Sequence, residues 1–222
     1  MIDKPYEIGT VISLQTSKVK QIKDENKTWE TGSFKTPVAN IVDVLFDGIK
    51  NDEVSDRVHH GGEYKAVFAN SYQNYPKWEK FLDVNSLEFG ALSENLTIDS
   101  LNEDDVCIGD IHQIGSVVLE VTQPREPCWK IGQKHHNKKF TKYIYDSGET
   151  GWYYKILEEG QFQTKDKVIL LRKDVHSITI SKANNILKNP KESYEDTNQL
   201  LNHSALGVAF FNSINKNLDK NI

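Results

Sequence analysis

The chain has 222 residues, with 37% hydrophobic and 27% charged side chains, the composition of a soluble globular protein that buries a sizeable core. Thirteen glycines and six prolines exclude collagen-like and wholly disordered classes, and no run approaches the roughly 18 apolar residues of a membrane span. The formal net charge of −5 argues against general nucleic-acid binding, which needs an excess of Lys and Arg. Residues 1–6 lack the layout of a signal peptide, so we expect a cytoplasmic chain whose two cysteines, Cys107 and Cys128, are unpaired.

Most of the chain between residues 10 and 173 is predicted to form short strands separated by polar turns. The runs are apolar or alternate between apolar and polar residues, and each is too short for a typical helix. Gly115 and Ser116 supply the turn of one predicted hairpin. The predicted segments are 11–14, 41–46, 65–69, 95–98, 111–121 and 167–172. Because closure removes exposed strand edges, this pattern favours a β-barrel or a closed sandwich.

Three segments interrupt the strand pattern with helical spacing. Residues 71–82 place aromatic side chains three and four positions apart, and Ser71 is a candidate cap. Residues 139–145, stopped near Gly148, and residues 152–160 are predicted as two further helices. The aromatic side chains of these segments are assigned to core packing rather than to a cofactor stack.

The sequence pattern changes from strand-like to helical after residue 173. Helical spacing over 177–187, 194–201 and 205–218 predicts a small helical subdomain over residues 174–222, after a strand-rich domain over residues 1–173. The apolar face of these helices is thin. This face is therefore expected to pack against the barrel or against a second copy of the chain, so a homodimer is a candidate assembly.

The first candidate functional segment is a loop that begins at residue 56. Two adjacent histidines, two glycines that allow positive φ, and a lysine entering a strand predict a loop that holds an anion or a metal. The alternative is a solvated turn whose histidines bond only the backbone. The residues concerned are Asp56, His59, His60, Gly61, Gly62 and Lys65.

The second candidate segment is the polar corner 89–97, which feeds a predicted strand. Glu94 and Asn95 are placed either to bond a ligand or to cap the turn. The sequence leaves both roles open.

The third candidate segment surrounds Cys128. Pro127 is suited to the first turn of a short helix that starts near Cys128, which would place the thiol at a helix N-terminus. The partial positive charge there, together with Arg125 and Lys130, favours the thiolate, the form that ligates metals and attacks electrophiles. By contrast, Cys107 lies in an apolar step before a Gly-Asp turn and is assigned to the core.

Positive charge is concentrated around Cys128. Residues 125–142 carry a local balance of +5 in a chain that is acidic overall, and such focusing suits an anionic ligand that carries phosphate. The alternative is a buried structural cysteine beside a solvated basic helix. The charged residues are Arg125, Lys130, Lys134, Lys138, Lys139 and Lys142, against one acid, Glu126.

Taken in order, these segments resemble the MOSC family, whose fold is shared with the C-terminal domain of molybdenum cofactor sulfurases, and within it the YiiM-type bacterial branch. The resemblance covers about residues 10–173, and the helical tail is similar to the three-helix extension of that branch. One departure is that Ala91, Leu92 and Ser93 separate the glycine and the glutamate of the family's compact turn. The motifs are His59-His60-Gly61-Gly62 with Lys65, Glu94-Asn95-Leu96-Thr97, Gly109-Asp110, Gln123-Pro124-Arg125-Glu126-Pro127-Cys128, and Ser147-Gly148-Glu149-Thr150-Gly151-Trp152-Tyr153.

The resemblance implies a mainly β protein, a MOSC-like barrel with a few inserted helices, that binds the molybdenum cofactor. It implies that Cys128 is the protein ligand to molybdenum and that the reaction is reduction of N-hydroxylated compounds, in this branch purine bases such as 6-hydroxylaminopurine. Asp56 and His59 are the other expected catalytic residues, as proton donors. Electrons are expected from a separate reductase, since the chain has no iron–sulfur cysteine set and no flavin or nicotinamide fingerprint. The expected cofactor-binding residues are His59, His60, Gly61, Lys65, Asn95, Arg125 and Lys130.

Two other functions compete with this one. Cys128 with His135, or with the His59 and His60 pair, would form a zinc site for hydrolysis, although zinc sites usually draw on tighter ligand pairs. A non-catalytic carrier of the cofactor or of sulfur would show the same residues as a reductase.

Overall fold

The computed structural model describes residues 4–24, 27–56 and 61–219. The predicted site residues His59 and His60 lie outside the described residues. The strands are β1 Tyr6–Thr16, β2 Lys20–Asp24, β3 Lys27–Thr31, β4 Thr36–Pro37, β5 Val42–Leu45, β6 Gly48–Ile49, β7 Val67–Ser71, β8 Leu96–Asp99, β9 Ile111–Ile114, β10 Val117–Pro124, β11 Trp152–Glu158, β12 Gly160–Phe162 and β13 Lys167–Arg172.

Helices occupy two parts of the described chain, the loops between strands and the segment after β13. Short 3₁₀ turns cover Glu63–Lys65 and Tyr72–Asn74. None of the described helices has the length and apolar character needed to cross a membrane. The helices are α1 Tyr75–Leu82, α2 Trp129–Lys134, α3 Lys138–Ser147, α4 Ile180–Lys188, α5 Tyr194–Leu201 and α6 Val208–Asp219.

Seven strands close into a barrel, which confirms the predicted fold class. The order around the barrel is β13, β9, β10, β11, β7, β8 and β1, and β1 pairs back onto β13. Neighbouring strands are antiparallel except β7 and β8, which run parallel with Ala69 beside Leu96. The β2–β3 hairpin and a small sheet of β12, β5 and β6 are added to this barrel.

The wall formed by β7 and β11 faces two different hydrophobic cores. Alternate side chains of a strand point to opposite faces. Trp152 and Tyr154 of β11 therefore belong to the core inside the barrel, whereas Tyr153 packs with Phe68 of β7 in a second core outside it. This second core also contains side chains of α1, α2 and α3, so these helices pack on the outer face of the wall.

The three C-terminal helices pack on the barrel. Ile186, Leu200, Phe210 and Ile214 are buried in the same cluster as the barrel interior, so the thin apolar face of the tail is covered by the barrel. The domain boundary after residue 173 and the homodimer stay predictions.

The predicted helix over residues 152–160 is wrong. Residues 152–158 form strand β11, which pairs with both β10 and β7 in the middle of the sheet. Both faces of a central strand are buried here, so its sequence is apolar without alternation, and periodicity alone does not distinguish such a run from a buried helix. Trp152, Tyr153 and Tyr154 are aromatic residues, which favour strands, and pairing with β10 and β7 places them in a strand.

The other helix predictions hold with shifted ends. Ser71 ends β7, and its hydroxyl accepts the Gln73 amide N–H at the start of a 3₁₀ turn, so the α-helix begins only at Tyr75. Helix α3 stops at Gly148, which adopts a left-handed φ of 78°, as the sequence predicts. The three tail helices also lie within two or three residues of their predicted starts.

Candidate functional site

Strand β10 ends at Pro124, and the turn that follows delivers Arg125 and Cys128 to one place. The Arg125 amide N–H donates to the Gly151 carbonyl oxygen at 3.2 Å, which ties the turn to the start of β11. Gly151 has a φ of 69°, and a Cβ at this position would lie 2.3 Å from the Ala69 carbonyl oxygen, so a glycine is required. The turn is therefore fixed by backbone contacts on the outer face of the barrel wall.

Cys128 stands at the N-cap position of α2 and is half-buried. The helix begins at Trp129, so Pro127 precedes the cap instead of lying in the first turn. Arg125 Nη2 lies 3.6 Å from Cys128 Sγ. A neighbouring cation favours the thiolate form of a cysteine, and this guanidinium is such a neighbour.

The Arg125 side chain is buried, with 5% of its surface exposed. Its guanidinium carbon lies 5.7 Å from the centre of the Phe68 ring. Nη1 has no hydrogen-bond partner among the described residues. A buried charged donor without a partner is costly, so this atom is a place where an anionic ligand would be stabilised.

The aromatic rings of Phe68 and Tyr153 form the floor of the site. They are register partners on β7 and β11, and their centroids lie 5.1 Å apart. Lys65 Nζ lies 5.8 Å from the Tyr153 ring centre. Burial lowers the pKa of the Lys65 ammonium, an effect that the Glu126 carboxylate opposes, and burial raises the pKa of the Tyr153 phenol. The two cations Lys65 and Arg125 therefore lie beside the buried aromatic rings of the floor.

A cleft, here called the inner cavity, opens above this floor. It lies between the end of the β2–β3 hairpin, the loop 52–55, the corner 92–95 and the turn at Cys128. Four cations line it: Lys35, Lys65, Arg125 and Lys130.

Lys35 is a cation of this cavity that the sequence analysis missed. Its side chain is 6% exposed, and Nζ lies 2.5 Å from Asp52 Oδ2. Burial lowers the pKa of Lys35, and the Asp52 carboxylate opposes that effect. Asp52 is held in turn by the Ser17 amide N–H at 2.7 Å and by Asn95 Nδ2 at 2.8 Å.

Asn95 lines the inner cavity, but its amide is engaged within the protein. Oδ1 accepts the Phe68 amide N–H at 3.1 Å, while Nδ2 donates to the Gln15 carbonyl oxygen and to Asp52. Glu94 is fully buried and caps the corner, since its carboxylate accepts the Tyr75 hydroxyl and the Leu92 amide N–H. Of the two roles that the sequence left open, the hydrogen bonds of Glu94 correspond to the turn-capping one, whereas those of Asn95 join the corner to β1, β7 and Asp52.

The basic stretch 125–142 is divided in space. Lys130 lines the inner cavity and donates to the Glu30 carbonyl oxygen and to Ser55 Oγ, both at 2.9 Å. Lys134 lines no described cavity and is buried against the Ser33 and Gly90 carbonyl oxygens, where burial lowers its pKa to about 8. The remaining lysines, Lys138, Lys139 and Lys142, are exposed at α3. The local charge of +5 is therefore not one patch, and only its first part faces the site.

A second cleft, here called the outer cavity, lies on the other side of Cys128. Asp56 lines this cavity and not the inner one. The two cavities share four residues, Lys65, Cys128, Lys130 and Tyr153. Cys128 therefore stands where the two clefts meet.

Most of the sequence-predicted site residues come together here. Lys65, Arg125, Lys130 and Cys128 line the inner cavity with Asn95, and Asp56 faces the outer cavity. Gly61 lines neither. Cys107 is 2% exposed and also lines neither cavity, in keeping with its assignment to the core.

The zinc alternative finds little support among the described residues. Residues 4–24, 27–56 and 61–219 contain no group of three or more His, Cys, Asp or Glu side chains that could hold a metal ion. His135 Nε2 lies 2.7 Å from the Ala91 carbonyl oxygen, and His135 lines neither cavity. The pair His59 and His60 lies outside this part of the chain.

Comparison with known proteins gives the family. The family model for the MOSC domain matches residues 56–169, which include all the motif segments. The chain belongs to the MOSC domain family. YflK, an uncharacterized protein of Bacillus subtilis, is 33% identical to this MOSC chain over 211 residues, 95% of each protein. A protein of Gibberella moniliformis named a reductase is 33% identical over 129 residues, which are 57% of this chain and 23% of that protein.

A solved structure extends the similarity to the whole fold. The crystal structure of YiiM from Geobacillus stearothermophilus has a TM-score of 0.80 and 30% identity, and the match covers 95% of this chain and 99% of that one. The similarity to the YiiM-type branch is thus confirmed.

MOSC domains are associated in general with binding of the molybdenum cofactor. The inner cavity of this MOSC chain fits that group. Its cations complement a phosphate, Arg125 Nη1 has no partner in the described part of the chain, and a thiol stands at the cavity edge. A thiolate is a soft ligand suited to a metal that already carries sulfur ligands.

Glu103 holds the backbone of Gly151 beside this site, and its ionisation leads to a prediction about how stability depends on pH. Its Oε1 accepts the Gly151 amide N–H at 2.8 Å and Asn74 Nδ2 at 2.9 Å, and burial raises the pKa of its carboxyl group. The folded chain therefore binds this proton more tightly than the unfolded chain, and stability falls as the pH rises from about 4.5 through the folded pKa. Glu103→Gln keeps the acceptor oxygen and removes the charge, so we expect it to unfold a few degrees higher than the native chain at pH 7.

Thermal unfolding at pH 7 and at pH 4 measures this effect. The advantage of Glu103→Gln should disappear at pH 4, where the native carboxyl group is also neutral. A variant that is less stable than the native chain at pH 7 but not at pH 4 would show that the carboxylate itself is needed.

Proposed function

We propose that the chain is a molybdenum-cofactor-dependent oxidoreductase that reduces N-hydroxylated compounds, with purine bases such as 6-hydroxylaminopurine as the substrate class. The observation that carries the proposal is the position of Cys128 between the inner cavity, which is lined by four cations, and the outer cavity, which is lined by Asp56 and Glu126. MOSC membership supports the cofactor, and the relative named a reductase supports the type of reaction.

The residues of the inner cavity are assigned to hold the cofactor. Cys128 is the proposed ligand to molybdenum, because its thiol is half-buried and lies 3.6 Å from Arg125 Nη2. Arg125, Lys65 and Lys130 are assigned to the phosphate, to which we add Lys35. Arg125 is the strongest of these assignments, since it alone combines a buried side chain with a charged donor that has no partner in the described part of the chain.

When bound, the cofactor supplies two electrons for cleavage of the N–O bond, so that R–NHOH, two electrons and two protons give R–NH₂ and water. The chain contributes the positions of the reactants and the protons. Asp56 lies in the outer cavity, where its carboxyl group is placed to pass protons from solvent to the departing hydroxyl oxygen. His59 is the second proposed proton donor. Electrons come from a separate reductase, because two cysteines do not make an iron–sulfur site.

Turnover tests the reaction directly. Protein purified from a host that makes the molybdenum cofactor should convert 6-hydroxylaminopurine to adenine with reduced methyl viologen as electron donor. The cofactor-free chain provides the background rate. Full cofactor content without reduction of 6-hydroxylaminopurine or hydroxylamine would instead indicate a carrier.

Metal content tests the site independently of turnover. We expect about one molybdenum and one pterin per chain in freshly purified protein, since one inner cavity with one thiol can hold one cofactor. Stoichiometric zinc without molybdenum or pterin would overturn the proposal in favour of a hydrolase.

A further inference from the structure

The outer cavity differs in chemistry from the inner one. Beyond the four residues that the two clefts share, the outer cavity is lined by the carboxylates of Asp56 and Glu126, the indole of Trp129 and the polar side chains of Asn212 and Ser213. Acidic side chains disfavour a second phosphate here, whereas carboxylate and amide oxygens accept hydrogen bonds from N–H groups. This wall therefore suits a ligand that is neutral and rich in N–H donors.

Helix α6 of the C-terminal tail supplies one side of this wall. Phe210 and Ile214 are fully buried in the barrel core, which fixes the rotation of the helix about its axis. Ala209, Asn212 and Ser213 then follow at the i, i+3 and i+4 positions of one face, and all three line the outer cavity. The tail thus contributes polar side chains to a cleft whose other residues come from strand β11, helix α2 and the loops of the barrel.

Glu126 links the helix to the turn that carries the thiol. Ser213 Oγ donates a hydrogen bond to Glu126 Oε1 at 3.0 Å. Glu126 lies two residues before Cys128 and is half-buried, so a carboxylate held by α6 is presented beside the sulfur. The position of this acceptor is therefore set by the C-terminal helix and not by the barrel alone.

Trp129 adds an aromatic surface to the same cleft. It follows Cys128 directly, and 54% of its surface is exposed. Its ring packs against Trp29 of the β2–β3 hairpin, with centroids 5.3 Å apart, which holds the indole in place. Stacking on such a ring is available to any heteroaromatic base, whatever its substituents.

We propose that Asn212 of α6, Glu126 held by Ser213, and Trp129 form the substrate-recognition wall, which selects heteroaromatic N-hydroxylated bases over small hydroxylamines. This inference rests on the proposed reductase function. Trp129 stacks on the base, while the Asn212 amide and the Glu126 carboxylate bond its ring edge. Asn212 is a specificity residue in this arrangement, and Ser213 is a positioning residue that acts through Glu126.

Binding without turnover is the first test. Cofactor-loaded protein is titrated calorimetrically with 6-hydroxylaminopurine in the absence of an electron donor. Asn212→Ala and Ser213→Ala should each weaken binding about tenfold, the effect of roughly one hydrogen bond. Ser213→Thr retains the hydroxyl and should restore the native affinity. Asn215→Ala is the matched control, because Asn215 lies on the same helix, bonds only the Phe211 carbonyl oxygen among the contacts described, and lines neither cavity.

Specificity is the second test. The ratio of kcat/KM for 6-hydroxylaminopurine to kcat/KM for hydroxylamine should fall about tenfold in Asn212→Ala and in Ser213→Ala, with molybdenum and pterin content unchanged. Native affinity and an unchanged ratio in both variants would overturn the proposal. If the native protein reduces neither compound, the reductase function fails. A tenfold loss of base binding in both variants would then still support the wall, and equal binding in all variants would refute it.

Discussion

Cys128→Ser is expected to abolish reduction of 6-hydroxylaminopurine, whereas Cys107→Ser leaves the rate nearly intact. A serine hydroxyl is a hard, protonated group at neutral pH and does not replace a soft thiolate on the metal. Loss of even the outer partners of metal ligands costs about 10- to 100-fold in affinity or activity, so loss of the ligand itself should exceed about 100-fold. Rates with reduced methyl viologen and the molybdenum content of both variants measure this.

Cys107 is the matched control because it is the other cysteine of the chain and is placed differently. Its amide N–H donates to Asp110 at 2.9 Å, and burial raises the pKa of its thiol, so it stays protonated in the core. Equal rates in the two serine variants would contradict the assignment of Cys128 as ligand.

Arg125→Met is expected to separate stability from cofactor binding. The native guanidinium is buried, and Nη1 has no partner among the described residues, so its removal relieves a desolvation cost in the cofactor-free chain. We expect the Tm of the cofactor-free variant to equal or exceed that of the native chain. Cofactor affinity should fall about 10- to 100-fold, because a hydrogen bond to a charged group contributes about 1.5–3 kcal/mol. Thermal unfolding and pterin content measure the two effects.

Lys134→Met provides the contrasting control. Lys134 is a half-buried cation on the same side of the barrel, but its ammonium donates to the Ser33 and Gly90 carbonyl oxygens and lines neither cavity. Its loss should lower the Tm, since two carbonyl groups lose their donor, while cofactor affinity stays unchanged. Full pterin content in Arg125→Met would remove Arg125 from the phosphate site.

The sequence predicts the elements whose patterns are local. The hairpin at Gly115, helix α3 with its stop at Gly148, and the three tail helices follow from alternation, caps and helical spacing within short windows. Strand β11 does not follow, because its burial on both faces comes from pairing with β10 and β7, which are distant in sequence. The β2–β3 hairpin was missed, although its paired strands run antiparallel over five residues each.

The sequence likewise predicts some residues of the site and misses others. The spacing of prolines and charges around Cys128 identifies Arg125 and Lys130, which lie within three residues of it. Lys35 carries no local signal, since its place in the site depends on the ion pair with Asp52 and on the folding of the hairpin end against the barrel. Asn212 and Ser213 are missed for a similar reason, because an ordinary polar helix face gains meaning only from the cleft that it borders.

The double-sided wall of β7 and β11 restricts how this protein can diversify. Phe68 and Tyr153 form the floor of the inner cavity, while the chain neighbours of Tyr153, Trp152 and Tyr154, fill the barrel. A backbone shift that reshapes the floor therefore also disturbs the barrel interior, where close packing makes even small volume changes costly. A substitution in the loop turns or on the solvent-facing side of α6 disturbs packing on one side only. New substrates are therefore more easily acquired there. The floor of the inner cavity is expected to change slowly among relatives, and the rim and the tail to vary.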